Sequence, residues 1–179
     1  MPEAASPSAE QGERSVERLL AAARGAIAQV PICWVVTAAE DGRGANARAV
    51  RDCTADVCGG AGAAGADPWT RWFLALPGSR KAAEIRRTGR ATLAYQHGSG
   101  EAYVTLVGRA ELVDDRAVVA AGLRAVDDPD GALAARLVAV RVAAERVEVH
   151  LRGVTAEPWG HGRTPLERGV DGAWRPSPD

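Results

Sequence analysis

Ile32-Cys33-Trp34-Val35-Val36-Thr37-Ala38, then Glu40-Asp41-Gly42-Arg43-Gly44, then residues 45–55 beginning Ala45-Asn46-Ala47-Arg48-Ala49-Val50-Arg51, is the stretch on which the fold turns. The first segment is short, apolar and β-branched, which suits the pleated surface of a strand. An Asp-Gly turn follows and a second extended segment returns, so the pair predicts an antiparallel hairpin at the start of a sheet.

Upstream of the hairpin, Val16, Leu19, Leu20, Ala23, Ile27 and Val30 recur at helical spacing behind Ser15. Glu17 lies in the first turn and Pro31 stops the pattern, which predicts an amphipathic helix over 15–29. Residues 1–12 are expected to form a disordered tail. Downstream, strands are predicted over 70–76 (TRWFLAL), 91–96 (ATLAYQ) and 101–113, with a short helix over 82–87 and helical material over 114–125. Gly108 interrupts the third of these strands as a bulge or close-approach glycine would. Residues 137–151 alternate well from Arg146 and read as two strands joined near Ala143-Ala144. The chain then runs into Pro- and Gly-rich coil carrying Trp159 and Trp174.

The sum is a mainly β domain over 13–155 with peripheral helices, followed by a C-terminal segment, 156–179. About six antiparallel strands are enough to close into a small barrel, and closure removes the edges that an open sheet would have to protect. The length of 179 residues leaves room for one domain. With one Phe and two Tyr against five Trp, the core must be built mainly from Ala, Val, Leu and Ile.

The charge balance, 22 basic against 23 acidic residues, provides no bulk positive field for nucleic acid or an anionic membrane. No apolar run reaches the roughly 18 residues of a membrane span. Cys33, Cys53 and Cys58 are odd in number without CxxC spacing, which reads as free thiols in a reducing, cytoplasmic compartment. Gly60, Gly62 and Gly65 spell GxGxxG, but Asp67-Pro68 and a new strand follow where a dinucleotide fold needs a helix, so the match is a hairpin loop. No GxSxG elbow surrounds Ser99, and the three histidines are scattered, so neither a serine nor a cysteine nucleophile is indicated.

Chemistry concentrates in residues 72–81 (WFLALPGSRK). Ser79 occupies a helix N-cap position, the next backbone N–H groups are unpaired, and Arg80 and Lys81 add two cations. A phosphate can accept from amides, hydroxyl and cations together. Cations at a helix start do not help stability, so the anion-site reading is preferred to one of solvated charge. In Arg48-Ala49-Val50-Arg51, alternation puts Arg48 with Val50 and Arg51 with Ala49. One arginine then shares an apolar face and, if buried, needs an anionic partner; exposure of both is equally open.

The ordered set of Arg48-x-Val50, Trp72-Phe73, Gly78-Ser79-Arg80-Lys81-Ala82, Arg90-Ala91-Thr92-Leu93 and Val107-Gly108-Arg109-Ala110 resembles the pyridoxamine 5′-phosphate oxidase family of FMN-binding split barrels. It looks closest to the general-stress-protein-like branch. The resemblance covers residues 16–113 well and 146–174 more loosely. It implies a split-barrel homodimer with one FMN at each of two sites between the subunits, and a small-molecule substrate. It also implies that Arg48, Ser79, Arg80 and Lys81 hold the FMN phosphate, with Val50 and Arg51 beside them, and that the strand bearing Leu74 and Ala75 lies against the flavin ring.

The chain departs from the family pattern at three places. Cys53 stands where the oxidases carry a lysine, so either Arg51 compensates or one phosphate contact is missing. Tyr103 stands where they carry a flavin-contacting glutamine, and its hydroxyl can still donate. The C-terminal substrate region of the oxidases is matched only by Glu148-Val149-His150-Leu151 and by Trp159-Gly160-His161-Gly162-Arg163, so vitamin B6 oxidation is not expected. Trp159, His161, Arg163 and Arg168 either fold over the flavin, with His161 as a proton donor, or form a coil whose tryptophans plug apolar surface. The resulting expectation is an FMN-dependent oxidoreductase drawing on a reduced nicotinamide or deazaflavin. Its alternatives are a binding protein without turnover, with FMN, a deazaflavin or haem as the cofactor, and a structural dimer.

Overall fold

The chain from β1 (Ile32–Ala38) to β2 (Ala45–Arg51) forms the expected hairpin, with Cys33 opposite Val50, Val35 opposite Arg48 and Thr37 opposite Asn46. Its turn is closed by Asp41, whose carboxylate accepts from the Arg43 N–H at 3.0 Å, and by Gly42 at φ 69°. The computed structural model describes residues 9–59, 66–98, 101–155 and 164–177, with 9–14 and 164 by backbone alone. The remaining elements are α1 (Ala9–Ala28), α2 (Thr54–Val57), β3 (Thr70–Ala75), α3 (Arg80–Thr88), β4 (Arg90–Gln96), β5 (Ala102–Val113), α4 (Arg116–Gly122), β6 (Val138–Leu151), β7 (Thr164–Arg168) and β8 (Trp174–Pro176).

All described strands belong to one 8-stranded sheet, ordered β2-β1-β4-β5-β6-β7-β8, with β3 also on β6. Every pairing is antiparallel. The 14-residue β6 gives one edge to β5 and divides the other between β3 and β7. This is the split-barrel architecture, and its core is aliphatic as the composition required: Val35, Leu93, Leu106, Val140, Val142, Val147 and Val149 are fully buried, with Phe73 beside them. α1 packs Ala23, Ile27 and Val30 against this core. A smaller cluster under α4 joins Val119, Leu123 and Ala139 to Trp72 and Leu74.

Four expectations are corrected. The sheet has eight strands rather than about six, because β7 and β8 fall in the segment read as coil. Both are short and flanked by Pro or Gly, and the free edge of β6 rather than their composition makes them strands. Residues 138–151 form one strand, not two: the register slips between Val107 and Gly108, so Glu145 is the extra residue of a bulge. A Cβ at Gly108 would collide with the Ala143 carbonyl, which explains the glycine. The helix α1 starts at Ala9, so the end of the expected tail is helical, and residues 1–8 lie outside the described residues. Finally, β2 stops at Arg51, because Asp52 caps a turn by accepting from the Thr54 N–H at 2.9 Å and the Thr54 hydroxyl at 2.6 Å.

The same Asp52 closes the barrel between β2 and β3. Its Oδ2 accepts from Arg71 Nε at 3.0 Å and from the Tyr95 hydroxyl at 2.8 Å, with the Asp52 side chain 5% exposed. Trp72 completes the junction: its carbonyl accepts from the Cys53 N–H at 2.9 Å and its N–H donates to the Thr54 hydroxyl at 2.8 Å. Trp69, unassigned by the sequence, meets Trp174 edge to face at 5.2 Å, so the C-terminal hairpin docks on the core there. The GxGxxG glycines lie outside the described residues, and Trp69 and β3 follow them rather than a helix.

Candidate functional site: a cation cluster at the start of a helix

The corner from β3 into α3 has the geometry that its sequence predicts. Ser79 is the N-cap, with extended backbone, and its hydroxyl accepts from the Ala82 N–H at 3.4 Å. Gly89, at φ 64°, ends the helix as a left-handed C-cap. No acidic residue occupies the first turn of α3, so no carboxylate of that turn offsets its positive end, where Arg80 and Lys81 also lie.

Arg48 reaches this corner from β2. Partial burial and the Arg48 charge beside it hold the Lys81 ammonium below its ordinary pKa. Arg48 comes to α3 itself, its Nη1 3.3 Å from Oε2 of Glu84, about one helical turn from Lys81, so two cations 33 residues apart in sequence share this end of the helix. Among the described residues no carboxylate forms an ion pair with Arg80 or Lys81. A helix start, an N-cap hydroxyl and clustered cations form the donor set that suits a phosphate group.

The anionic partner required of a half-buried Arg48 is Glu84 of α3, which the sequence reading missed. Arg48 Nη1 lies 3.3 Å from Glu84 Oε2 and 3.3 Å from the Thr37 hydroxyl. Glu84 also accepts from the Thr37 hydroxyl at 2.5 Å and from the Asn46 amide at 2.6 Å, and its side chain is 2% exposed. Burial pushes its pKa up, yet the donors Thr37, Asn46 and Arg48 outweigh burial and hold it below the ordinary value. Alternation on β2 puts Asn46 on the face of Arg48, and the β1–β2 register brings Thr37 to the same face; the sequence reading picked out neither residue, nor Glu84.

The other expected residues fall elsewhere. Val50 is buried in the core opposite Cys33. Arg51 is ion-paired to Asp56 and donates to the Gly122 carbonyl at 3.0 Å, which ties β2 to α2 and α4. Leu74 packs, partly buried, under α4, and Ala75 is buried in the core. Tyr103 lies on the outer face of β5, opposite Gln96 and His150, whereas Arg48, level with Val35, Leu93 and Leu106, lies on the inner face. Within one chain these two faces do not meet. Trp159, His161 and Arg163 lie outside the described residues. Arg168 pairs with Asp67 at 2.7 Å and stacks over Trp174, away from the corner.

A second arginine-rich groove contrasts with this site. Arg90 and Arg109 share Glu145 at 2.6 and 2.7 Å, and Arg146 pairs with Glu148 and Glu167. Its cations are neutralised internally, so it is not a competing anion site. Among the described residues there is no group of His, Cys, Asp and Glu able to hold a metal.

Solved structures with the same fold include a protein related to general stress protein 26 of B. subtilis from Clostridium acetobutylicum, at a TM-score of 0.60 and 18% identity over 87% of this chain and 96% of that one. An FMN-binding protein related to pyridoxamine 5′-phosphate oxidase from Nostoc punctiforme gives 0.53 and 12% over 98% of both chains. PhzG from Burkholderia lata, solved with tetrahydrophenazine-1-carboxylic acid, gives 0.52 and 19% over 90% of this chain and 88% of that one. No curated protein matches the sequence. The family model described as pyridoxamine 5′-phosphate oxidase matches residues 19–151, which include the hairpin, the cation corner and β6, and the chain therefore belongs to that family.

Proposed function

We propose that this chain is an FMN-binding homodimer that acts as an oxidoreductase, passing electrons between a reduced nicotinamide or deazaflavin and a small-molecule acceptor. The observation that carries this reading is the Ser79 N-cap of α3 with Arg80 and Lys81 in its first turn, to which Arg48 of β2 is joined through Glu84 at 3.3 Å, and among the described residues no carboxylate pairs with Lys81. Arg48, Ser79, Arg80 and Lys81 would hold the phosphate, and the backbone at Leu74 and Ala75 would face the ring. Bound FMN supplies the redox chemistry; the protein supplies anchoring, orientation and a shaped pocket.

The two faces of the sheet support the assembly. Ile32 and Trp34 are 52% and 51% exposed on the outside of β1, beside Ala47 and Ala49 of β2, an apolar surface suited to a second copy. A second copy would also supply an outer-face residue such as Tyr103, which one chain cannot bring to its own Arg48. The three free cysteines fit a cytoplasmic protein, and no described helix is long and apolar enough to cross a membrane. Pyridoxamine phosphate oxidation is not part of this reading, since the C-terminal substrate motifs of the oxidases are not reproduced here.

A flavin carrier without turnover is the second reading. It is favoured by the makeup of the cluster: Thr37, Asn46, Arg48, Lys81 and Glu84 include no histidine or cysteine for proton transfer near neutral pH. Purified protein titrated with FMN should bind it and show the visible spectrum of a protein-bound flavin. A haem or deazaflavin would give a different spectrum, and no binding at all would sink the cofactor claim. Reduction of the bound flavin by NADPH with reoxidation by an acceptor separates the enzyme from the carrier.

A further inference from the structure

We propose that Glu84 is a positioning residue of the phosphate site, holding Nη1 of Arg48 so that its remaining N–H groups stay turned toward an anion beside Lys81. This rests on the anion-site reading above and names the residue that assembles the site.

A carboxylate this enclosed is tolerated only with full hydrogen bonding, and its donors all come from the hairpin: Thr37 on β1, and Asn46 and Arg48 on β2. Glu84 itself lies on α3, one turn beyond Arg80 and Lys81. One carboxylate thus joins the element carrying Lys81 to the element carrying Arg48. Only Nη1 of Arg48 is engaged by Glu84 and Thr37; among the described residues, Nε and Nη2 have no protein acceptor. Without Glu84, repulsion from Lys81 would favour rotamers that carry Arg48 out to solvent.

The alternative roles give opposite signs. If Glu84 were only a nearby negative charge, Glu84→Gln would tighten anion binding. If it were only a core tie, the variant would weaken phosphate-bearing and phosphate-free flavins alike. Positioning of Arg48 requires that Glu84→Gln weaken FMN by about tenfold, the loss of roughly one charge-assisted hydrogen bond, while riboflavin affinity is unchanged.

The test is titration of wild type and Glu84→Gln with FMN, riboflavin and inorganic phosphate, with thermal unfolding recorded for each. A selective loss of FMN and phosphate affinity supports the proposal; equal or tighter FMN binding, or parallel loss of riboflavin, overturns it while leaving FMN binding by the wild type intact. If wild type binds phosphate but not FMN, the cofactor reading falls, and a loss of phosphate affinity in Glu84→Gln still supports the positioning role, as its absence overturns it. If wild type binds neither, both fall. Should Glu84→Gln fail to fold, Thr37→Val removes the hydroxyl that bridges Glu84 and Arg48. It should cause the same selective loss, smaller in size and restored by Thr37→Ser; a Thr37→Val protein with wild-type FMN affinity overturns the proposal.

Discussion

Asp52 and Arg71 form an ion pair inside the barrel, Oδ2 to Nε at 3.0 Å, with the Tyr95 hydroxyl donating to the same oxygen at 2.8 Å. The side chains are 5% and 18% exposed, so the Asp52 carboxylate depends on its protein donors while Arg71 keeps a limited contact with solvent. Burial and the neighbouring Asp52 charge push the Tyr95 phenol well above its ordinary pKa, which keeps it a donor. The pair bridges the end of β2 and β3, where no strand ladder does.

Arg71→Met should therefore cost about 3–5 kcal/mol, because it strands a buried carboxylate. The double variant Arg71→Met/Asp52→Asn should be less destabilised than the single one. Urea unfolding of both checks this, and equal losses would mean that the charge of Asp52 is not the cause.

Arg80→Ala with Lys81→Ala should weaken FMN affinity by about 10- to 100-fold, at roughly 1.5–3 kcal/mol for a hydrogen bond to a charged group. The unfolding midpoint should stay within a few degrees, since neither side chain supports the core. Isothermal titration with FMN measures the first effect and calorimetry the second; unchanged affinity would move the phosphate site elsewhere.

Glu84 adds an acid limb to stability. Its native pKa lies below the ordinary 4.5, so the unfolded chain takes up the proton first and Glu84 stabilises the fold above that value. The contribution falls as pH drops from about 4.5 through the lower native value. The difference in unfolding midpoint between wild type and Glu84→Gln should be constant from pH 7 to 5.5 and narrow below 4.5. A gap independent of pH would show that Glu84 has the same pKa in the native and unfolded states, and a gap that widens as pH falls would show that its native pKa is raised.

Thiol chemistry should be confined to Cys58. Burial, then the nearby Asp52 charge, pushes Cys33 up to about 11 and Cys53 up to about 12, and both are buried. At pH 8 a thiol reagent should modify one cysteine in the native protein and all three after denaturation. Rapid native labelling of more than one would contradict the packing of β1 or of the Asp52 turn.

Trp34→Arg places a charge on the outer face of β1, where half of the tryptophan is exposed in the single chain. It should leave the monomer folded, shift a dimer toward monomer in size-exclusion chromatography, and lower FMN affinity in parallel. A dimer that survives the change would place the subunit contact on another face.

The sequence by itself determined the parts whose causes are local. The β1–β2 hairpin follows from a β-branched run and an Asp-Gly turn, the Ser79 corner from an N-cap ahead of two cations, and Gly108 from a strand that must bulge. The placing of Arg48 with Val50 on one face of β2 follows from period-two alternation. Tertiary structure alone decided what depends on long-range partners. β7 and β8 become strands because β6 has an open edge to offer, and Trp69 finds Trp174 across more than 100 residues. Glu84 reads as a surface residue in Ala-Ala-Glu-Ile-Arg-Arg, and becomes the buried acceptor of the site only because α3 folds back onto the hairpin. Arg51 and Arg48 look equivalent in Arg-Ala-Val-Arg, but the side of the sheet on which each lies sends one to Asp56 and the other to the cation cluster.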